Sequence, residues 1–201
     1  MIRSSIMRKV KLIIVLLLTS WSTCCVADAD DDKALIFDMQ STASMFVKTL
    51  GKTLKTTINS KGPTAAISVC KTVAPNLANQ LSRETGWKIS RVSLKVRNPL
   101  IGTPDTWERK QLIAFSNDSF LDSSKSGLIE TYFVEDETEY RSIRYMRALP
   151  TGPICLTCHG RPKDIPDEVA SALEQLYPHD KAIGYSLGDI RGAISIQVNR
   201  N

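Results

Sequence analysis

Apolar residues recur at helical spacing over positions 33–58. Leu35, Met39, Thr42, Phe46, Leu50 and Leu54 fall on one stripe, and no proline interrupts them. The run Asn59-Ser60-Lys61-Gly62-Pro63 predicts a turn. A second helix is expected from about Thr64, with Ala66, Cys70, Val73, Leu77 and Leu81 facing inward and Pro75 kinking or restarting it. From position 88 the period changes to two, and Val92, Leu94 and Val96 share one face of a strand predicted over 88–96. A loop follows at 98–104. Thr103-Pro104 has the form of an N-cap followed by proline at the first helical position, so 104–115 reads as helix. Strands are predicted at 128–134 and 140–149, joined by the acidic turn 135–139. A short helix at 167–177 turns Val169, Leu173 and Leu176 inward. In the last strand, 192–198, Ile194, Ile196 and Val198 alternate with Ser195 and Gln197. Helices come first, and strands with inserted helices follow. That order predicts an α+β fold with an antiparallel sheet rather than alternating βαβ units.

The N-terminus follows a different pattern. Arg3, Arg8, Lys9 and Lys11 precede the unbroken apolar run 12–18, and Ala27-Asp28-Ala29 offers a small-residue cleavage site. This reads as a secretory signal over 1–29, cut after Ala27 or Ala29, with a single domain over 30–201. The apolar run is short for a membrane span, which takes about 20 residues. An uncleaved anchor is the alternative, and Trp21-Ser22-Thr23 before Cys24 makes a poor lipoprotein signal. Export alters the charge balance. The full chain has 26 Lys+Arg and 21 Asp+Glu, and residues 1–27 take away four basic groups and no acidic ones, leaving 22 minus 21, or +1. The basic balance therefore belongs to the signal, and no nucleic-acid partner is expected.

Export also leaves three of the five cysteines, Cys70, Cys155 and Cys158, an odd number for an oxidising compartment. Two of them stand in Cys155-Leu156-Thr157-Cys158-His159, the spacing used for c-type haem attachment. Cysteines three apart lie on one face of a helical turn, within reach of the two vinyl groups on one porphyrin edge. The histidine directly after them can ligate the iron. A thioredoxin-like motif would expect a βα context, which is missing. A structural zinc site would need four ligands, and a plain Cys155–Cys158 disulfide is the remaining alternative. The expected cofactor is one covalent haem c, held by Cys155 and Cys158 with His159 on the iron. For the opposite axial position the candidates are His179, Met39, Met45, Met146 and Cys70, or no protein ligand. His179 stands in a polar turn, and the methionines stand in apolar patterns that suit core filling. Cys70 lies on the inward stripe of its helix, where it serves equally as a small hydrophobe or as a ligand.

Several ordered stretches carry a further resemblance: 65–70 ending in Cys70, 93–99 with 104–108, 144–147 running into Leu149-Pro150, the Cys155–His159 motif, and Tyr177-Pro178 through Asp180-Lys181-Ala182 and Gly184-Tyr185 to 188–193. They span about 35–199. In them the chain resembles the family of periplasmic single-haem c-type domains with a PAS-like fold, a domain of unknown function found alone or as the sensing region of histidine kinases. The resemblance implies that Cys70 is the distal ligand opposite His159. It also implies a PAS-like antiparallel sheet with the haem held against the N-terminal helices. Arg97, Arg144, Arg147 and Arg191 are candidates for the haem propionates, with a solvated role as the default for each.

A thiolate and an imidazole together would favour ferric iron and leave no open site. That argues against an enzyme. The expected role is a periplasmic sensor of redox state or of a small gas such as NO or CO, with a small electron-transfer cytochrome as the alternative. The expected partner is a redox protein or a membrane signalling protein, and no stable membrane insertion is expected after cleavage.

Overall fold

The computed structural model describes residues 24–117, 130–136 and 141–200. The charged and apolar parts of the expected signal, up to position 23, lie outside the described residues, as does most of the turn expected at 135–139. The chain divides into two units, Met1–Asp38 and Met39–Asn201. The described part of the first is helical, and in it Lys33 Nζ reaches Asp30 at 3.0 Å. Among the described residues no helix is long and apolar enough to cross a membrane.

Helix α1, Cys24–Ser68, carries the predicted stripe: Met39, Thr42 and Phe46 are buried, Leu35, Leu50 and Leu54 are half-buried, and Ala43 joins them in the core. The expected turn at 59–63 shrinks to a break at Gly62, whose φ of 81° a residue with a Cβ would resist, directly before Pro63. The predicted restart at Pro75 is also present, in an unexpected form. Residues Val69–Val73 make a π turn, closed by Ala74 N–H donating to Val69 O, and α2 follows as Ala74–Thr85. Pro75 has no N–H to give to Lys71 O, and the wider turn keeps its ring clear of that carbonyl. The extra residue advances the helical phase. Val73 is consequently exposed and Leu77 only half-buried, while Ala74, Ala78 and Leu81 are buried. The inward positions expected at Val73 and Leu77 are corrected by that rotation.

Strand β1, Lys88–Val92, is shorter than expected because Ser93 N–H turns away to Gly102 O at 3.1 Å. Leu94 is exposed as a result. The following loop holds one helical turn, α3, Pro99–Gly102. Helix α4, Thr106–Asn117, starts after Asp105 rather than Thr103. Asp105 Oδ1 accepts from Glu108 N–H and Glu108 Oε2 accepts from Asp105 N–H, both at 2.8 Å, a reciprocal cap that outcompetes Thr103-Pro104. Strands β2, Glu130–Asp136, and β3, Arg141–Pro150, follow. Next come the short α5, Leu156–His159, and α6, Asp167–Leu176, and β4, Ile190–Arg200, ends the described chain. In α6 Val169 and Leu173 are buried and Leu176 is exposed.

The four strands form one antiparallel sheet in the order β1-β4-β3-β2, so the last strand lies in the middle beside the first. The fold is α+β with an antiparallel sheet, as the sequence predicts. Both sheet faces are covered. On one, Ile143, Tyr145, Ile194 and Ile196 are fully buried beneath α1, where Glu130 joins Tyr145 Oη to Gln40, and Arg147 reaches Ser44. On the other, α4 packs Leu112 and Phe115 onto Val92, Met146, Ala148 and Ala193. The in–out alternation expected of β4 is therefore absent in its first half, because Ala193 and Ser195 are as buried as Ile194.

Candidate functional site

The Cys155–His159 segment leaves β3 through Gly152 and a tight turn, Pro153–Cys155, and ends in α5. The loop before β4 grips this segment. Thr151 N–H donates to Asp189 O at 2.8 Å, Gly184 N–H to Gly160 O at 2.8 Å, and Tyr185 N–H to His159 O at 3.0 Å. Gly160 closes the turn so tightly that a Cβ there would sit 2.6 Å from Leu156 O. Arg97 completes the clamp. Its Nε meets Asp180 Oδ2 at 2.7 Å and its Nη2 donates to Cys158 O at 2.6 Å, while Asp180 Oδ1 takes Ala182 N–H. The stretch 177–185, prominent in the sequence, thus serves mainly to hold His159.

His159 is buried, and its Nδ1 lies 2.6 Å from Ala182 O. A carbonyl only accepts, so Nδ1 carries the proton and Nε2 keeps its lone pair. Burial, and then the charges of Arg191 and Arg97, push the imidazole well below its ordinary pKa. It is the neutral, ligand-competent tautomer. The ring of Tyr185 meets it edge-on with centroids 6.3 Å apart.

His159 and Cys70 line the same cavity, a space of about 480 Å³ between the π turn and α2 on one side and β1 with the 93–103 loop on the other. This volume lies within the ~300–1,000 Å³ range of small-molecule and cofactor sites. Cys155 and Cys158 stand on the same turn as His159 and do not line that space. Cys158 packs against the cluster of Ile67, Ile165, Val169 and Leu173. Burial pushes its thiol up, and Cys70 and Cys155 add to the rise. All three are free thiols. Among the described residues no group of three or more His, Cys, Asp or Glu is placed to hold a metal ion. The other candidates for the opposite axial position lie elsewhere. Met39 and Met146 are fully buried in the core, and Met45 and His179 are exposed away from the cavity.

The arginines singled out in the sequence part company here. Arg97 is bound to Asp180. Arg144 is held by Asp105 at 2.6 Å over the Trp107 ring, and Arg147 by Ser44. Arg191 lines the cavity, and so does Arg91, which the sequence reading did not single out. Arg91 pairs in register with Ile194 and shares its face of the sheet with Ile89 and Tyr145. Its Nη1 is out of solvent without a hydrogen-bond partner. An alternating strand does not reveal whether its second face is solvated or covered, so this buried charge has no signal in the local pattern.

Residues 27–199 match the profile of the Tll0287-like family. The chain belongs to that family. Among solved structures it is similar to the crystal structure of the cyanobacterial heme-protein Tll0287, with a TM-score of 0.58 and 23% identity over 86% of this chain and 96% of that one. At that identity the likeness establishes the shared fold, an antiparallel sheet with a long N-terminal helix. No curated protein matches.

Proposed function

We propose that this chain is an exported protein with one covalent haem c, which uses Cys70 and His159 as axial ligands and acts as a sensor of redox state or of a small gas. The observation that carries the reading is the meeting of Cys70 and His159 on one cavity, with the two other thiols on the turn that bears the histidine. Membership of a family whose structurally known relative is a heme-protein supports it, and the N-terminal pattern of basic residues followed by an apolar run supports export.

The residues fit the group. Cys155 and Cys158 would each add a thiol across a vinyl group to become thioethers. His159 presents Nε2, with its tautomer fixed by Ala182 O. Cys70 would supply a third sulfur from the π turn that lines the same cavity. When bound, haem supplies a one-electron iron centre whose axial bonds can exchange. The cavity carboxylates are already engaged, Asp105 with Arg144 and both Asp105 and Glu108 in the α4 cap. The role proposed for this site is binding. Cys70 is mounted on the π turn that leads into α2. Its release would loosen the start of that helix, and a redox partner or a membrane signalling protein would read that motion.

A second reading, electron transfer, draws on one feature. Leu100, 94% exposed, and Ile101 stand at the cavity wall beside Lys88 and Lys95, where a redox partner could dock.

The test is to produce the full chain in a host with c-haem maturation machinery and to record ferric and ferrous spectra of the wild type and Cys70→Ala. Haem that survives denaturation, together with a low-spin thiolate spectrum that becomes high-spin or water-ligated in Cys70→Ala, is the expected result. An unchanged spectrum would make Cys70 packing and favour plain electron transfer. Absence of attached haem would end the proposal.

A further inference from the structure

The cavity wall carries a charge imbalance that the axial ligands do not account for. Arg97, Arg144 and Arg161 each have an aspartate at 2.6 to 2.7 Å. Arg91 and Arg191 face the same cavity, and among the described residues neither side chain has a carboxylate partner. They repel one another across it, and the repulsion reinforces the effect of burial in lowering the Arg91 pKa. Arg91 also interacts with the Cys70 sulfur, yet its buried Nη1 remains without an acceptor. A buried guanidinium nitrogen without an acceptor is costly, because it has given up its water for nothing. A buried cation with an unanswered donor calls for an anion from outside the chain, and the half-buried Arg191 adds a second positive charge to the same lining.

The wall's own carboxylates cannot answer this demand, since Asp105 and Glu108 are committed to Arg144 and to the α4 cap. The missing partner is therefore a ligand with two carboxylates that enters the same space. We propose that Arg91 and Arg191 are the clamp for the two propionate groups of the cofactor, with Arg91 bridging one carboxylate to the Cys70 side of the cavity. Guanidinium forks match carboxylates in geometry, and the low dielectric strengthens the pair. This inference rests on the haem reading above. It assigns Arg91 a role that its place in a strand did not suggest, and withdraws Arg97, Arg144 and Arg147 from the propionates.

The test uses the matured full chain with Arg91→Gln, Arg191→Gln, the charge-keeping Arg91→Lys and, as a control, Arg144→Gln. It reads the midpoint reduction potential and the propionate bending bands in resonance Raman spectra. Loss of a cation beside the haem favours the ferric form. Each Gln variant of the clamp is thus expected to shift the reduction equilibrium by about tenfold toward ferric, about 59 mV for one electron, and to move the propionate bands. Arg91→Lys holds the potential near wild type while still moving the bands, and Arg144→Gln changes neither. If haem is attached while Arg91→Gln and Arg191→Gln leave potential and bands unchanged, the clamp is overturned and the haem reading stands. If wild type carries no haem, the underlying reading falls first. If inorganic phosphate shifts the wild-type potential and this response disappears in Arg91→Gln, the pair binds anions from solution, and the propionate assignment is wrong. Should Arg91→Gln not mature, Arg191→Gln and Arg91→Lys carry the same decision.

Discussion

Asp105 shows how one side chain can serve two neighbours. It caps α4 by receiving Glu108 N–H, and it holds Arg144 over Trp107. Burial alone would raise its carboxyl pKa, but the hydrogen bond from Glu108 and the Arg144 guanidinium outweigh it and hold the group below its ordinary value. A carboxyl depressed on folding contributes stability above its unfolded pKa of about 3.9, and that contribution is lost as the pH falls through the folded value. Denaturant midpoints measured from pH 7 down to pH 3 should therefore fall below about pH 4 in the wild type, and less steeply in Asp105→Asn, which keeps the cap but not the charge. Equal slopes for the two proteins would show that Asp105 does not govern the acid limb. Arg91 is the contrasting residue, a charge with too few neighbours, and its meaning depends on what enters the cavity.

Two close approaches between elements set the shape of the site. The π turn at Val69–Val73 aims Cys70 at the cavity and re-phases α2 behind it. The proline that forces it was visible at position 75, but the choice between a kink and a widened turn depends on which residues the sheet needs to bury. The second approach is between β1 and β4. A Cβ on Gly192 would sit 2.4 Å from Val92 O and 3.3 Å from the Ser93 side chain, where β1 leaves the sheet to form the cavity wall. Gly192→Ala should therefore destabilise the fold by roughly 1–3 kcal/mol, and the shift in the chemical denaturation midpoint measures it. A midpoint unchanged from wild type would mean that the strand exit is looser than drawn. By contrast Gly51, with nothing near its added Cβ, is a position where the same substitution is harmless.

At the scale of the whole molecule, the helices cover both sheet faces and the cavity opens beside β1. A cavity of about 480 Å³ is large for a chain of this size to keep open without a ligand. The haem-bearing chain should accordingly melt about 5–10 °C above the Cys155→Ala/Cys158→Ala chain, at roughly 2–4 °C per kcal/mol of stabilisation. Equal melting temperatures would mean that the fold closes the space without its cofactor. Much of this architecture could be read beforehand. The apolar stripe of α1, the strand periodicities and the helix at Asp167–Leu176 follow from local spacing, and the cysteine spacing with its adjacent histidine follows from the reach of a helical turn. These features depend on near neighbours in the chain, which is why the sequence alone determined the α+β class and the residues of the motif. What joins distant segments was settled only in three dimensions. Helix and strand periodicity do not say which faces meet, so the cavity shared by Cys70 and His159, the Ala182 carbonyl that fixes the imidazole tautomer, and the unpartnered Nη1 of Arg91 emerged only when the sheet, the π turn and the 177–185 loop packed together.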